Sequence, residues 1–373
     1  MTIFKPLAAD DKISTKTLLH EAIPITGTIV SGTYSDLNIQ NFTHGMFQSV
    51  YDYPYLSSSA NHIFDLTFGV SADSALYPDL VTADVQVAKK KNIYNQMAQV
   101  LMGYDQDGKI QKFDEDGDLT TTGDKSLEGA FVSFSRLLVK DEIKKGSFEL
   151  EMGTDVTYAT DGSVFSERIK IVDFNANNSF RVNSPVGEFG ILYATSSADA
   201  PADLDPSSTH SEILSDGNRY WKAGLIYYQA GVAFLTSSVF MGASNGGYLV
   251  SGDAEWDSTN SFTGSLVNEE ISGSANGFRN RLYNLQFNNT IELNSTVFFC
   301  RAKHNEFNYS ANPTYLDGSQ IRVKNQGTDT PVSYITSIGL YSADNQLLAV
   351  GKFSEPIRKD SNIELTFRAR LDY

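Results

Sequence analysis

The sequence predicts a mainly β chain of the α+β type: antiparallel, sandwich-like sheet domains with two amphipathic helices near residues 87–102 and 127–139. Three observations predict it. Apolar and polar residues alternate over many short stretches, as half-buried strands require. Asp-Gly and Asp-Asn pairs and Gly/Ser/Asn-rich segments punctuate those stretches. Two windows alone carry apolar residues at helical spacings of three and four.

Residues 1–30 read as an extended N-terminal arm. Their apolar residues, Phe4 and Leu7 among them, show no sustained period, and Pro6 and Pro24 oppose long regular elements. Such an arm is expected to order by packing on a neighbour. A β-rich domain with both helices follows over 31–145. In it Tyr51, Tyr53 and Tyr55 recur at a spacing of two, which puts three rings on one side of an extended segment.

The first helix, Val87–Met102, presents Ile93, Tyr94, Met97, Ala98 and Leu101 as one stripe, with Lys89, Lys90 and Asn92 facing away and Gly103 as its stop. The second, Leu127–Val139, repeats Leu127, Phe131, Phe134 and Leu138, with Ser126 as N-cap. Between them, Asp114, Asp116 and Asp118 have the one-three-five spacing of a calcium loop. The pattern then fails, because Gly117 stands fourth instead of sixth and Lys125 occupies the twelfth position, where a bidentate Glu belongs. A turn-rich acidic loop is the simpler reading.

From residue 146 to 373 the chain reads as one or more β-sandwich-like domains. Phe148, Leu150 and Met152 alternate, and Leu225–Tyr228 and Val232–Leu235 form a buried hairpin around Gln229-Ala-Gly231. The C-terminal segment supplies a three-stranded sheet. Tyr334–Tyr341 and Gln346–Phe353 flank an Asp344-Asn345 turn, and Ile363, Leu365, Phe367, Ala369 and Leu371 alternate with polar partners.

This C-terminal segment also carries a resemblance. The strand Ile338-Gly-Leu-Tyr341, the Asp-Asn turn, Leu347-Leu-Ala-Val-Gly-Lys352 and Glu355-Pro-Ile357 resemble tail-associated virion proteins of tailed bacteriophages. The run Glu306-Phe-Asn-Tyr-Ser-Ala-Asn-Pro-Thr-Tyr315 resembles structural proteins of T4-like phages, particularly those of marine cyanobacteria, and further similarity runs through Asn41–Gly69 and Lys89–Phe148. The resemblance implies a virion component of the contractile tail or baseplate, assembled in the host cytoplasm, with no catalytic residues to carry over. Its expected partners are copies of itself and other virion proteins. Phe4, Leu7, Tyr51, Tyr53, Tyr55, Phe307, Tyr309 and Tyr315 are the candidate contact residues. The alternatives are a receptor- or carbohydrate-binding tail-fibre module and a polysaccharide-degrading tail enzyme. A host-surface glycan is the partner only under these alternatives.

Composition is in keeping with this. At 41% hydrophobic and 20% charged the chain describes a folded protein. Its net charge of −16 opposes a phosphate backbone, so no nucleic-acid partner is expected. No apolar run reaches the length of a membrane span, no signal peptide is visible, and the lone Cys300 forms no internal disulfide. The five histidines form no metal-ligand spacing, so no cofactor or metal is assigned. Gly242-Ala-Ser-Asn-Gly246 matches a nucleophile elbow in form, with His304 the only histidine downstream, but a strand is expected after it where the elbow needs a helix. The acids Asp253, Glu255 and Asp257 around Trp256 are the glycosidase candidates. No enzyme activity is expected.

Overall fold

The computed structural model describes residues 4–24, 36–77, 85–117, 125–134, 142–154, 167–196, 204–250, 252–257, 259–310, 313, 316–317, 320–321, 328 and 330–372. In chain order the main elements begin with β1 (Lys12–Pro24), β2 (His62–Val70), α1 (Val85–Leu101), β3 (Glu128–Ser133), β4 (Glu149–Gly153) and β5 (Arg168–Val172). Next come β6 (Gly187–Ser196), β7 (Arg219–Tyr227), β8 (Val232–Thr236), α2 (Phe262–Asn268) and α3 (Ile271–Arg281). The last are β9 (Leu282–Gln286), β10 (Asn288–Ala302), β11 (Val332–Tyr341), β12 (Leu347–Asp360) and β13 (Leu365–Asp372). The chain is mainly β, with antiparallel sheets as its sequence predicts. It divides into a larger unit, His20–Ile291, and a smaller one made of Met1–Leu19 with Glu292–Tyr373.

The larger unit is organised on a twelve-stranded sheet whose path runs β9-β4-β5-β6-β7-β8-β3-β2 and then through two short strands, Gln48–Tyr51 and Ile39–Asn41. Both of its faces are covered. Phe68 and Gly69 are neighbours on β2 and so point to opposite faces. Phe68 packs edge-on against Trp256 and Phe278, beside α2 and α3. Gly69 lies under Tyr94 of α1, where a Cβ would come within 2.9 Å of the Tyr94 backbone nitrogen. The first cluster holds Phe64, Leu66, Ile169, Ile171, Ala233 and Trp256, while the second holds Tyr94, Phe113, Phe131, Phe189 and Phe234. Each such side chain, fully buried, contributes on the order of 1.5–3 kcal/mol relative to leaving it exposed.

The α1 helix forms where the apolar stripe predicts it, and Gly103 closes it at φ 83, its N–H reaching the Ala98 carbonyl at 3.1 Å. The second expected helix does not form at its start. Residues Glu128–Ser133 are instead strand β3, between β8 and β2. The physical reason is burial on both faces. Phe131 packs on Phe113 and Phe234, whereas Phe134 turns to Phe64, Phe148 and Phe287 on the other side. Two rings three residues apart mark one side of a helix but opposite sides of an extended chain. Gly129 fixes the choice, since a Cβ there would strike the Leu235 carbonyl of the adjoining strand. Residues 135–139 of the expected helix lie outside the described residues.

In the smaller unit, β10 is flanked by β1 and β13. Residues 12–24 of the expected arm are therefore a strand, and 25–30 lie outside the described residues. The β11–β12 hairpin forms as expected, with Asn345 at φ 61 in its turn. It stays a two-stranded sheet of its own. The expected third strand, β13, pairs with β10 from Ser295↔Asp372 to Ala302↔Leu365 instead of extending the hairpin. No helix among the described residues is long and apolar enough to cross a membrane.

Candidate interaction surface

The described residues of the smaller unit bury little apolar surface. Among them Val297 and Ala302 are the only buried apolar side chains. A unit of this size ordinarily builds a core of its own. Here the alternation on β13 is present but shallow: Leu365, Phe367 and Ala369 are half-buried and Thr366, Arg368 and Arg370 exposed. Phe353 of the hairpin lies over Phe367 with ring centroids 4.9 Å apart. Around that contact an open groove of about 710 Å³ remains, lined by Phe4, Leu7, Phe298, Ile338, Phe367 and Leu371.

The N-terminal residues close one side of this groove. Phe4 meets the edge of Tyr341 at 4.6 Å, and Lys5 Nζ donates to the Arg301 carbonyl at 2.8 Å and to Glu306 at 2.5 Å. The Lys5 hydrogen bond, followed by the Lys303 N–H, holds the Glu306 carboxyl below its ordinary range. Arg301 in turn pairs with Asp11 at 2.6 Å. Phe4 and Leu7 remain more than two-fifths exposed, at 44% and 41%. Phe307 sits at φ 54, a left-handed backbone that an aromatic residue seldom adopts, and its ring lines the groove. Tyr309 is exposed, and Tyr315 lies outside the described residues.

The outer face of the hairpin is apolar as well. Tyr341 pairs with Leu347 and Gly339 with Val350, so Tyr341, Leu347 and Val350 share one side, next to Leu348 at the register shift. Leu348 is 68% exposed and Val350 62%. Beneath the hairpin, buried Lys359 donates to the His304 carbonyl at 3.3 Å, to Asn308 Oδ1 at 2.6 Å and to the Asp360 carbonyl at 2.8 Å. These bonds tether the strand that carries the apolar face.

Charge is distributed unevenly between the two units. The larger contains 17 Lys and Arg against 34 Asp and Glu, the smaller 12 against 11. The smaller unit is thus nearly neutral, and the net negative charge of the chain resides in the larger one.

The other sequence candidates have different settings. Tyr51 ends its strand half-buried, donating to Gln40 Oε1 at 3.0 Å; Tyr53 and Tyr55 lie in the turn beyond and are exposed. The chain bends at residues 52–53, so the three rings form no flat row, but Tyr51 and Tyr55 keep their ring centroids 6.3 Å apart. Trp256 is fully buried, its indole N–H donating to the Ser274 carbonyl at 2.7 Å, so it offers no stacking platform. Asp253 accepts from the Gly242 N–H, Asn245 and Thr263, which makes it a clamp on the loop. Ala243–Asn245 forms a single turn of 3-10 helix that contains Ser244 and ends at Gly246 with φ 79; Leu249 then bridges to Leu204, so among the described residues no α-helix directly follows the serine. His304 lies in the smaller unit, 3.2 Å from Glu364. His210, passed over in the sequence, is the histidine beside that turn. One ring nitrogen is 2.8 Å from Glu115 and the other 2.8 Å from the Gly246 carbonyl, so both are engaged by acceptors. A general base needs one nitrogen open to take a proton.

In the acidic loop, Asp105 Oδ1 accepts the Asp107 and Lys109 N–H groups, and Asp114 Oδ1 those of Asp116 and Gly117. Asp114 also pairs with Lys125. These are turn-closing roles, and among the described residues no group of three or more acids, His or Cys is placed to hold a metal; Asp118 lies outside them. Comparison with family models, curated proteins and solved structures finds no match.

Proposed function

We propose that this chain is a structural protein of a tailed-phage particle, in its tail or baseplate region, and that it works by adhering to copies of itself and to other particle proteins. The carrying observation is that, among the described residues of the smaller unit, only Val297 and Ala302 are buried apolar side chains, beside an exposed Leu347, Leu348 and Val350 face. A contiguous apolar surface of this kind marks a protein interface. The larger unit, with covered sheet faces and aromatic clusters, serves as the rigid body that carries it. The sequence resemblance supplies the particle, and the neutral charge of the smaller unit favours close approach of copies.

The deciding experiment is localisation in purified particles by cryo-electron microscopy and peptide mass spectrometry. Density for this chain with the Leu347–Val350 face covered is the expected result. Particles that lack the chain overturn the assignment.

A further inference from the structure

Among the described residues β13 is hydrogen-bonded along one edge only, to β10, in an antiparallel register without a shift. An outer strand of this length is a template for another strand, and proteins blunt such edges with proline, bulges or charged side chains, lysine above all. The strand Leu365-Thr-Phe-Arg-Ala-Arg-Leu-Asp372 has no proline, lysine or bulge, and its charges are of both signs, so they can pair as well as repel. It carries two arginines, preceded by Glu364 and followed by Asp372, all four on the exposed side of the alternation.

We propose that β13 pairs antiparallel with β13 of a second copy, about a two-fold axis centred on Phe367, so that the sheet continues from one copy into the next. This rests on the assembly role proposed above and names its first contact. The charges select the register. Centred on Phe367, Glu364 of each copy opposes Arg370 of the other, and Thr366 opposes Arg368. Centred on Arg368, that guanidinium meets itself and Glu364 faces Asp372. Centred on Ala369, Arg368 meets Arg370 on both sides. Like charges directly opposite destabilise a sheet, and opposite charges stabilise it. An axis on Thr366 also sets Glu364 against an arginine, Arg368, but it shortens the strand overlap from Leu365–Ala369 to Leu365–Phe367; in the Phe367 register Glu364 and Arg370 flank the longer overlap at its two ends. Slips by one residue turn the half-buried face of one copy against the wet face of the other.

The side chains suit the role. Glu364 is 66% exposed and Arg370 46% exposed. Arg370 gives its Nε to Ser295 at 2.8 Å and to Asp372 at 2.7 Å, and its five-donor fork is able to take a second carboxylate.

The test is sedimentation velocity of the full chain over a concentration series at physiological salt, with far-UV circular dichroism to verify folding. The parent chain is expected to dimerise. Arg370→Glu and Glu364→Arg are each expected to weaken the dimer about tenfold, and the double exchange to restore it. A parent that stays monomeric, or single variants as dimeric as the parent, overturns the β13 pairing. If such a chain is still found in particles, the assembly role stands without this contact. A dimer rescued by the double exchange in a chain that particles lack supports the pairing and removes the particle.

Discussion

Asp173 and Tyr228 are joined inside the larger unit, the tyrosine hydroxyl donating to Asp173 Oδ2 at 3.2 Å. The same carboxylate accepts the Gly146 and Phe148 N–H groups at 2.9 Å each, fixing the turn before β4 to the end of β5. Burial nevertheless dominates and pushes its pKa up to about 6. The folded protein therefore holds this proton more tightly than the unfolded chain, whose carboxyl titrates near 3.8. Between those values the Asp173 contribution to stability is greatest at the acidic end and is lost as pH rises through about 6. Asp173→Asn is expected to destabilise by ~1–3 kcal/mol, because its amide NH2 faces backbone donors. Its deficit relative to the parent should shrink between pH 4 and pH 7, read by urea melts at each pH. A deficit that is flat across this range contradicts the assignment.

Lys90 gives the opposite sign on the alkaline side. Its buried ammonium donates to the Leu266 carbonyl at 2.5 Å and the Glu269 carbonyl at 2.8 Å, and burial lowers its pKa to about 8. Between about 8 and its ordinary 10.5 the unfolded chain binds more protons, so the contribution of Lys90 to stability rises with pH. Lys90→Met leaves two carbonyls at the end of α2 without their donor and is expected to cost about 1–3 kcal/mol. That cost should grow from pH 8 to pH 10 in denaturant titrations.

Gly277 lies within α3 against the Trp256 ring, and a Cβ there would overlap the indole. Alanine ordinarily improves a helix over glycine by ~1 kcal/mol. Overpacking a filled core costs about 1–3 kcal/mol, so the clash wins. Gly277→Ala is expected to lower the melting temperature of the larger unit and to alter Trp256 fluorescence.

Leu348 and Val350 are the most exposed apolar side chains of the hairpin. Both side chains are mostly exposed, so replacing them with Glu removes little buried area and thermal stability should hold within about 1 kcal/mol. Binding of an apolar dye and association with partner proteins should both fall. An unchanged dye signal would show that the patch does not present a continuous apolar surface.

Local signals in the sequence were reliable where a single segment decides its own structure. The α1 stripe, the Gly103 stop and the Asp344-Asn345 turn all follow from neighbours within a few residues. The β3 strand was misread because its flanking sheet partners, not its own spacing, determine which faces are buried. Lys90 was assigned to the wet side of α1, since the carbonyls that receive it lie some 180 residues further on. The thin interior of the smaller unit was also hidden. Its alternating strands look half-buried in sequence, and only the exposure of each residue in the folded unit shows how shallow that burial is among the described residues.

The pairing of β1 with β10 has a consequence for biogenesis. Ser14 and Thr296, whose hydroxyls are 3.1 Å apart, are separated by 282 positions. During translation the early strand leaves the ribosome long before its mate has been made. The intervening sheet has its own strands at hand and condenses first, and high contact order makes the later closure slow. Nascent chains are therefore expected to pass through an interval in which β1 waits unpaired, which limited proteolysis of stalled nascent chains would reveal as cleavage confined to that strand.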